Sequence, residues 1–241
     1  MRRRFFVEAF DEDRAVLAGD AAYHLGRVLR AEPGQLYELS DGTSVRLGKI
    51  EFAGKDRIEF SLLDTLPGSA SSLDKSLLLA IVKFDMFEWA IEKATELGVN
   101  RIVPLAAARS EKGLLVAAEK RAERWKRLLF EASQQSRRVR LPVLEAVATP
   151  KSAFAASASQ IKVLLSERPT AQPLRKLLAG LSADTVTVAI GPEGGWTEEE
   201  FAAAAKAGFA EASLGNLILR TETAVTAGLA TVNYVLERDS Q

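Results

Sequence analysis

Residues 190–196 read IGPEGGW: three glycines and a proline between the apolar run TVTVAI and the helix-forming run TEEEFAAAAKAGF. Two readings compete for a strand-to-helix turn with so few side chains. It is a plain tight turn, or its backbone is bared so that a ligand can approach it. Glycine turns before a helix often cradle phosphate, because free N–H groups and positive potential meet there. Here Thr197 and Glu200 stand at capping-box spacing, and Glu198 and Glu199 share the first turn. Those carboxylates already fill the anion-attracting end. The spacing also matches neither the dinucleotide nor the P-loop fingerprint. A neutral or partly cationic ligand suits this turn better than a nucleotide phosphate.

A second stretch, LGNLILRTETAVTAG, spans residues 214–228. Leu217, Ile218 and Leu219 lie consecutively in a predicted loop, where they either wall a pocket for a flat ring or dock the loop into the core. Arg220 is the only basic residue there, and Thr221, Glu222 and Thr223 are placed to cap the helix that follows. That last helix is apolar on nearly every side and rich in Ala and Gly, so it reads as buried, with a subunit interface as a natural setting.

The third stretch, residues 119–140, carries eight basic side chains against three acidic ones in a protein of zero net charge. Such a run is a solvated helix face or, at QQSRRVRL, a clamp for RNA phosphates through Arg137, Arg138 and Arg140. Arg2, Arg3 and Arg4 form a second basic cluster, and Arg27 and Arg30 a third. His24 is the only histidine and there is no cysteine, so multi-His and thiolate metal sites, Cys nucleophiles and disulfides are excluded and no metal is expected. His24 itself reads as a packing or hydrogen-bonding residue.

The elements that must hold these residues fall into two patterned regions. Residues 1–70 are strand-like, with hairpin signals at Asp41-Gly42 and Ala53-Gly54 and one short helical run, AAYHLGRVLR, which predicts a small β-barrel. LPGSASSLD is the linker, and from residue 71 to 241 apolar strands alternate with amphipathic helices, which predicts an α/β domain with a parallel sheet covered on both faces. With 47% hydrophobic and 27% charged residues the composition is that of an ordinary soluble protein. No apolar run approaches the ~20 residues of a membrane span, and the N-terminus lacks a secretory apolar segment, so a cytoplasmic protein without a membrane partner is expected.

Taken in order, HLGRVLR, PGQ, SDG, FEWAIEKATELGV, IGPEGGWTEEEF and LGNLILRTETA resemble the signatures of the RsmE-type 16S ribosomal RNA uridine-N3 methyltransferases along essentially the whole chain. The resemblance implies a PUA-like β-barrel at 1–70, then a SPOUT domain at 71–241 whose C-terminal segment forms a deep trefoil knot. It also implies S-adenosylmethionine (SAM) as cofactor, a homodimer, and 16S rRNA or the small ribosomal subunit as partner. Cofactor contacts would come from Leu165, Ser166 and Glu167, from Ile190, Gly191, Pro192, Glu193, Gly194 and Gly195, and from Leu214, Gly215, Ile218, Leu219, Arg220 and Thr223. Arg220, Glu222 and Glu193 would be the catalytic candidates, and Lys83 and Arg109 would join the basic clusters on the RNA side.

The sequence departs from the family pattern at Leu217, Ala107, Ala108, Gln134, Arg137 and Met86, chiefly on the presumed RNA side. Two other readings therefore stay open: a SPOUT methyltransferase with another RNA target, and a non-catalytic RNA-binding protein on a degenerate cofactor fold.

Overall fold

The computed structural model describes residues 3–67 and 72–237, so Arg2 lies outside the described residues. The chain divides into two compact units, Met1–Ala70 with Ser133–Leu141, and Ser71–Ala132 with Pro142–Gln241.

The first unit is built on a six-stranded sheet in the order β1-β4-β5-β6-β3-β2. Its strands are β1 (Arg4–Phe6), β2 (Phe10–Asp11), β3 (Arg14–Ala18), β4 (Leu36–Ser40), β5 (Val45–Ala53) and β6 (Arg57–Leu66). The expected hairpins join β4 to β5 and β5 to β6 in antiparallel register. β1 pairs parallel with β4 and β2 pairs with β3, so the sheet is an open half-barrel with two edges, consistent with the small β-barrel that the pattern predicts. The helical run is α1 (Gly19–Tyr23) continued by a wide turn over His24–Val28. Leu25 of that turn, Leu39, Ile50, Ile58 and Phe60 are fully enclosed and form this unit's core. His24 is exposed, so of the packing or hydrogen-bonding role expected for it the packing half is corrected: Ala22 and Leu25 take the inward positions of the run.

The segment at 133–141 explains one departure. Arg137 follows α4 (Ala122–Gln135) with φ of 57°, in the left-handed region. Its N–H bonds to the Gln134 carbonyl and the Arg138 N–H to the Ser133 carbonyl, the paired bonds of a Schellman helix end. Glycine is the natural residue at that position, since it has no Cβ to strain. Arg137 instead pairs its guanidinium with Glu38.

The second unit is a seven-stranded, all-parallel sheet in the order β11-β13-β10-β12-β7-β8-β9. The strands are β7 (Asp74–Ala80), β8 (Arg101–Leu105), β9 (Val143–Leu144), β10 (Ile161–Leu165), β11 (Gln172–Pro173), β12 (Thr185–Ile190) and β13 (Ala210–Ser213). Its helices besides α4 are α2 (Phe84–Glu96), α3 (Lys112–Ala118), α5 (Pro150–Ala156), α6 (Leu174–Leu178), α7 (Glu198–Lys206) and α8 (Thr221–Leu236). Alternate residues of β7 serve opposite faces: Leu77 and Leu79 join the core under α2 and α8, while Leu78 and Ala80 join the core under α5 and α7. Burial on both faces is why these strands read as unbroken apolar runs.

The basic run of residues 119–140 begins in a tight turn at Glu119–Arg121, between α3 and α4, and continues through α4. Met86 packs against the larger core, an apolar job that a basic residue there would not do. No helix among the described residues is long and apolar enough to cross a membrane.

Candidate active site

The three loops singled out in the sequence leave the carboxyl ends of β10, β12 and β13. Those strands are adjacent, in the order β13-β10-β12, and parallel. Loops 166–171, 191–197 and 214–220 therefore emerge side by side at the end of the sheet where open α/β sheets bind ligands.

The glycine turn is fixed from several sides. Thr197 and Glu200 form the capping box: the Thr197 hydroxyl accepts from Glu200 N–H, and a Glu200 carboxylate oxygen accepts from Thr197 N–H at 2.8 Å. The other Glu200 oxygen accepts from Ala108 N–H at 2.8 Å, so one buried carboxylate ties α7 to the loop after β8. Trp196 is buried and its indole N–H donates to the Leu165 carbonyl at 3.1 Å, linking the ends of β12 and β10. The Thr221 hydroxyl donates to the Gly191 carbonyl at 3.2 Å, linking α8 to the same turn. Gly195 has φ of 70°, and a Cβ placed on it would sit 2.9 Å from a Glu167 carboxylate oxygen. A Cβ on Gly191 would meet the Trp196 ring at 3.0 Å. Bare backbone is thus required at both positions, once by conformation and once by space.

Trp196→Phe removes one N–H donor and strands a buried carbonyl. The expected cost is about 1–2 kcal/mol of stability, read as a lower urea midpoint at unchanged slope.

The loop before α8 decides one open alternative and corrects one expectation. Leu217 and Ile218 are 81% and 83% exposed, so the triplet does not dock into the core. Arg220 occupies the N-cap position of α8 without a side-chain cap bond, and Thr221 spends its hydroxyl on Gly191. The capping role expected of Thr221, Glu222 and Thr223 therefore fails, because all three lie inside the first turn of α8.

Around the turn, Glu167, Glu193, Gly194 and Arg220 are exposed, Glu222 is half-buried, and Leu165, Ser166, Ile190 and Pro192 are buried. Leu214 packs against the core, while Gly215 and Thr223 are exposed. The site thus presents carboxylates, backbone and a strip of bare apolar side chains. Among the described residues no group of three or more potential metal-binding side chains occurs.

A family model for the RNA methyltransferase domain matches residues 69–233. The ribosomal RNA small subunit methyltransferase E of Synechocystis is 33% identical over an alignment of 239 positions that covers 95% of this chain and 76% of that protein. This chain belongs to the ribosomal RNA small subunit methyltransferase E family. The family member of Mycobacterium tuberculosis is 30% identical over 97% of this chain and 92% of its own. A crystal structure of the Neisseria gonorrhoeae family member, bound to S-adenosyl methionine, covers 100% of both chains at 29% identity with a TM-score of 0.89.

Against that family background the basic residues sort unevenly. Arg4 is buried, bonded to Glu38 at 2.9 Å and to the Arg137 carbonyl, so the expectation that it faces RNA is corrected: its guanidinium closes the first unit's own core. Arg137 shares Glu38. Arg3, Arg27, Arg30, Lys83 and Arg140 are exposed. Arg138 is half-buried, and burial, with Arg140 adding repulsion, pushes its pKa down to about 10, which still leaves it charged at neutral pH. Arg109 donates to the Gly194 carbonyl at 2.7 Å.

Sequence reasoning missed the linking roles of Trp196 and Arg168, and it gave Thr221 a cap in place of its bond to the Gly191 carbonyl. The Arg168 guanidinium lies 3.5 Å from the Phe201 ring centre and pairs with Glu198, holding loop 166–171 against α7. None of the three had a periodic signal. Only the aromatic directly after a Gly-Gly pair offered a hint.

Proposed function

We propose that this protein is a SAM-dependent methyltransferase that methylates N3 of a uridine in 16S rRNA of the small ribosomal subunit. The observation that carries this reading is the adjacency of the three bare-backbone loops on β13, β10 and β12, in a chain whose SAM-bound relative from N. gonorrhoeae aligns over its full length. The residues fit that ligand. Glu167 and Glu193 border a turn without phosphate-binding character, which suits a sulfonium cation, and Leu217–Leu219 offer exposed apolar surface for adenine.

Leu165–Glu167, Ile190–Gly195, Leu214, Gly215, Ile218, Leu219, Arg220 and Thr223 would hold the methyl donor. SAM supplies the electrophilic methyl group. The chain's own residues must bring an unpaired uridine in line with it and favour loss of the N3 proton. Arg220, exposed beside the turn, would stabilise negative charge developing on a uracil oxygen, and Glu222 or Glu193 would accept the proton.

The reading includes a PUA-like first domain and a knotted second one. What supports a knot is the path after β10: Leu165 and Gln172 both pair with Ala212, from opposite sides of β13, so residues 166–171 cross over that strand. A homodimer is supported by α8, whose Thr223, Ala230 and Tyr234 form an exposed stripe, Tyr234 at 91%. A ribosomal substrate also assigns the work to the cytoplasm.

On the RNA side, Arg3, Arg27, Arg30, Lys83, Arg138 and Arg140 would hold phosphates. Arg138→Ala is expected to weaken rRNA binding and reduce the salt slope by about one, with SAM affinity unchanged. The reading as a whole is tested by mass mapping of 16S rRNA from a deletion strain. A single N3-methyluridine should vanish and return on complementation. An unchanged map would refute the assigned target.

A further inference from the structure

The family resemblance puts Arg109, in the loop after β8 (residues 106–110), on the RNA side, and the residue is exposed. Its contacts point elsewhere. The Arg109 stem runs along the glycine turn: a Cβ placed on Gly194 would lie 3.2 Å from Arg109 Cβ and 3.4 Å from Cδ. The guanidinium then closes on the same residue, Nη1 donating to the Gly194 carbonyl at 2.7 Å.

The backbone that delivers Arg109 is itself fastened on both sides. Ala108 N–H goes to the buried Glu200 carboxylate, and the Ser110 hydroxyl donates to the Ile81 carbonyl at 2.7 Å. Ala107 is enclosed in the core under α5 and α7. Glu200 thus serves two loops with one carboxylate, capping α7 and aligning Arg109.

A guanidinium engaged in a charge-assisted bond to a turn carbonyl orients that turn more strongly than a neutral donor would. Gly195, the next residue, closes the turn through its N–H to the Pro192 carbonyl at 2.8 Å. With φ of 70° it has the conformational freedom that the clamp removes.

We propose that Arg109 is a positioning residue of the methyl-donor turn, held in place by Glu200, and is not a phosphate contact. The inference rests on the SAM reading above for its effect on affinity. Its effect on the turn does not depend on that reading.

The test uses full-length Arg109→Ala and Arg109→Lys with three measurements. Hydrogen exchange at the Gly195 amide should accelerate about tenfold in Arg109→Ala, while the core amides of β12 keep their wild-type protection. The SAM dissociation constant and KM for SAM should rise about tenfold, as expected for losing one charge-assisted bond, with kcat within a factor of about two. Arg109→Lys should recover part of both effects. Binding of a 16S rRNA fragment should keep its wild-type salt slope.

Unchanged exchange at Gly195 would overturn the proposal, whether or not SAM binds. Faster exchange with unaltered SAM affinity in a wild type that does bind SAM would overturn it too. So would a salt slope reduced by about one with SAM affinity intact, the mark of a phosphate contact. If the wild type itself ignores SAM, the functional reading falls, and the exchange rate alone decides the role of Arg109.

Discussion

Gly195→Ala weakens SAM binding by about one to two orders of magnitude, the expected result of placing a Cβ where the turn needs φ of 70°. Alanine in the left-handed region costs about 1–2 kcal/mol. The new Cβ would also sit 2.9 Å from the Glu167 carboxylate, which must then swing away from the turn. The free protein can relieve both by letting the turn relax. Binding must restore it, so the strain is read as lost affinity. Gly208→Ala is the matched control. Gly208 has φ of 83°, nothing lies within 4 Å of its would-be Cβ, and it ends α7 away from the three loops. It should lose about 1 kcal/mol of stability and keep wild-type SAM affinity. Calorimetric titration and urea unfolding of the two variants separate conformational strain at the site from conformational strain alone. Equal affinity losses would show that the turn has no special part in binding.

Lys75→Ala is expected to be strongly destabilising, at about 3 kcal/mol. Lys75 lies on β7 and is 1% exposed. Its ammonium donates to the Asn233 side chain at 2.8 Å and pairs with Glu237 at 3.3 Å, and Asn233 in turn donates to the Leu97 carbonyl at 3.0 Å. The lysine therefore fastens the carboxyl end of α8 to the sheet and to the end of α2. Truncation leaves a cavity along the stem and removes the donor from Asn233. Glu237 suffers less, because a third of its side chain meets water. In a chain of this size the loss corresponds to a melting temperature lower by about 6–12 °C. Lys75→Met keeps the volume and should lose roughly half as much. SAM affinity below the melting range should hold in both, since the site is fastened at the other end of α8 by Thr221 and Gly191. A collapse of SAM binding in folded Lys75→Met would mean that α8 transmits its anchoring to the turn.

What was legible in the sequence was what short-range chemistry controls. The Thr197–Glu200 capping box, the hairpins at Asp41-Gly42 and Ala53-Gly54, and the β-branched, largely apolar run of β12 each depend on neighbours a few residues away. The adjacency of the three loops came from the family resemblance and not from any local pattern, because it follows from β13 inserting between β10 and β11, a long-range pairing. Charge misled for the same reason. Arg4 looked like one of three equivalent basic residues, yet its partner Glu38 is brought to it by the pairing of β1 with β4. Arg137 departs from the family pattern, and the left-handed turn it occupies is one that favours glycine. Leu217 and Ile218 read as pocket wall or as core, with core the better fit to the pattern, and their exposure goes against it because hydrophobicity alone does not say which side of a loop faces water.

The central claim is that bare backbone at the ends of β13, β10 and β12 forms a pocket for a sulfonium donor. Calorimetric titration of the full-length protein with SAM tests it most directly. The account predicts saturable binding at one site per chain, lost in step with Gly195→Ala and indifferent to excess ATP. No binding at millimolar SAM, or displacement of SAM by ATP, would contradict it.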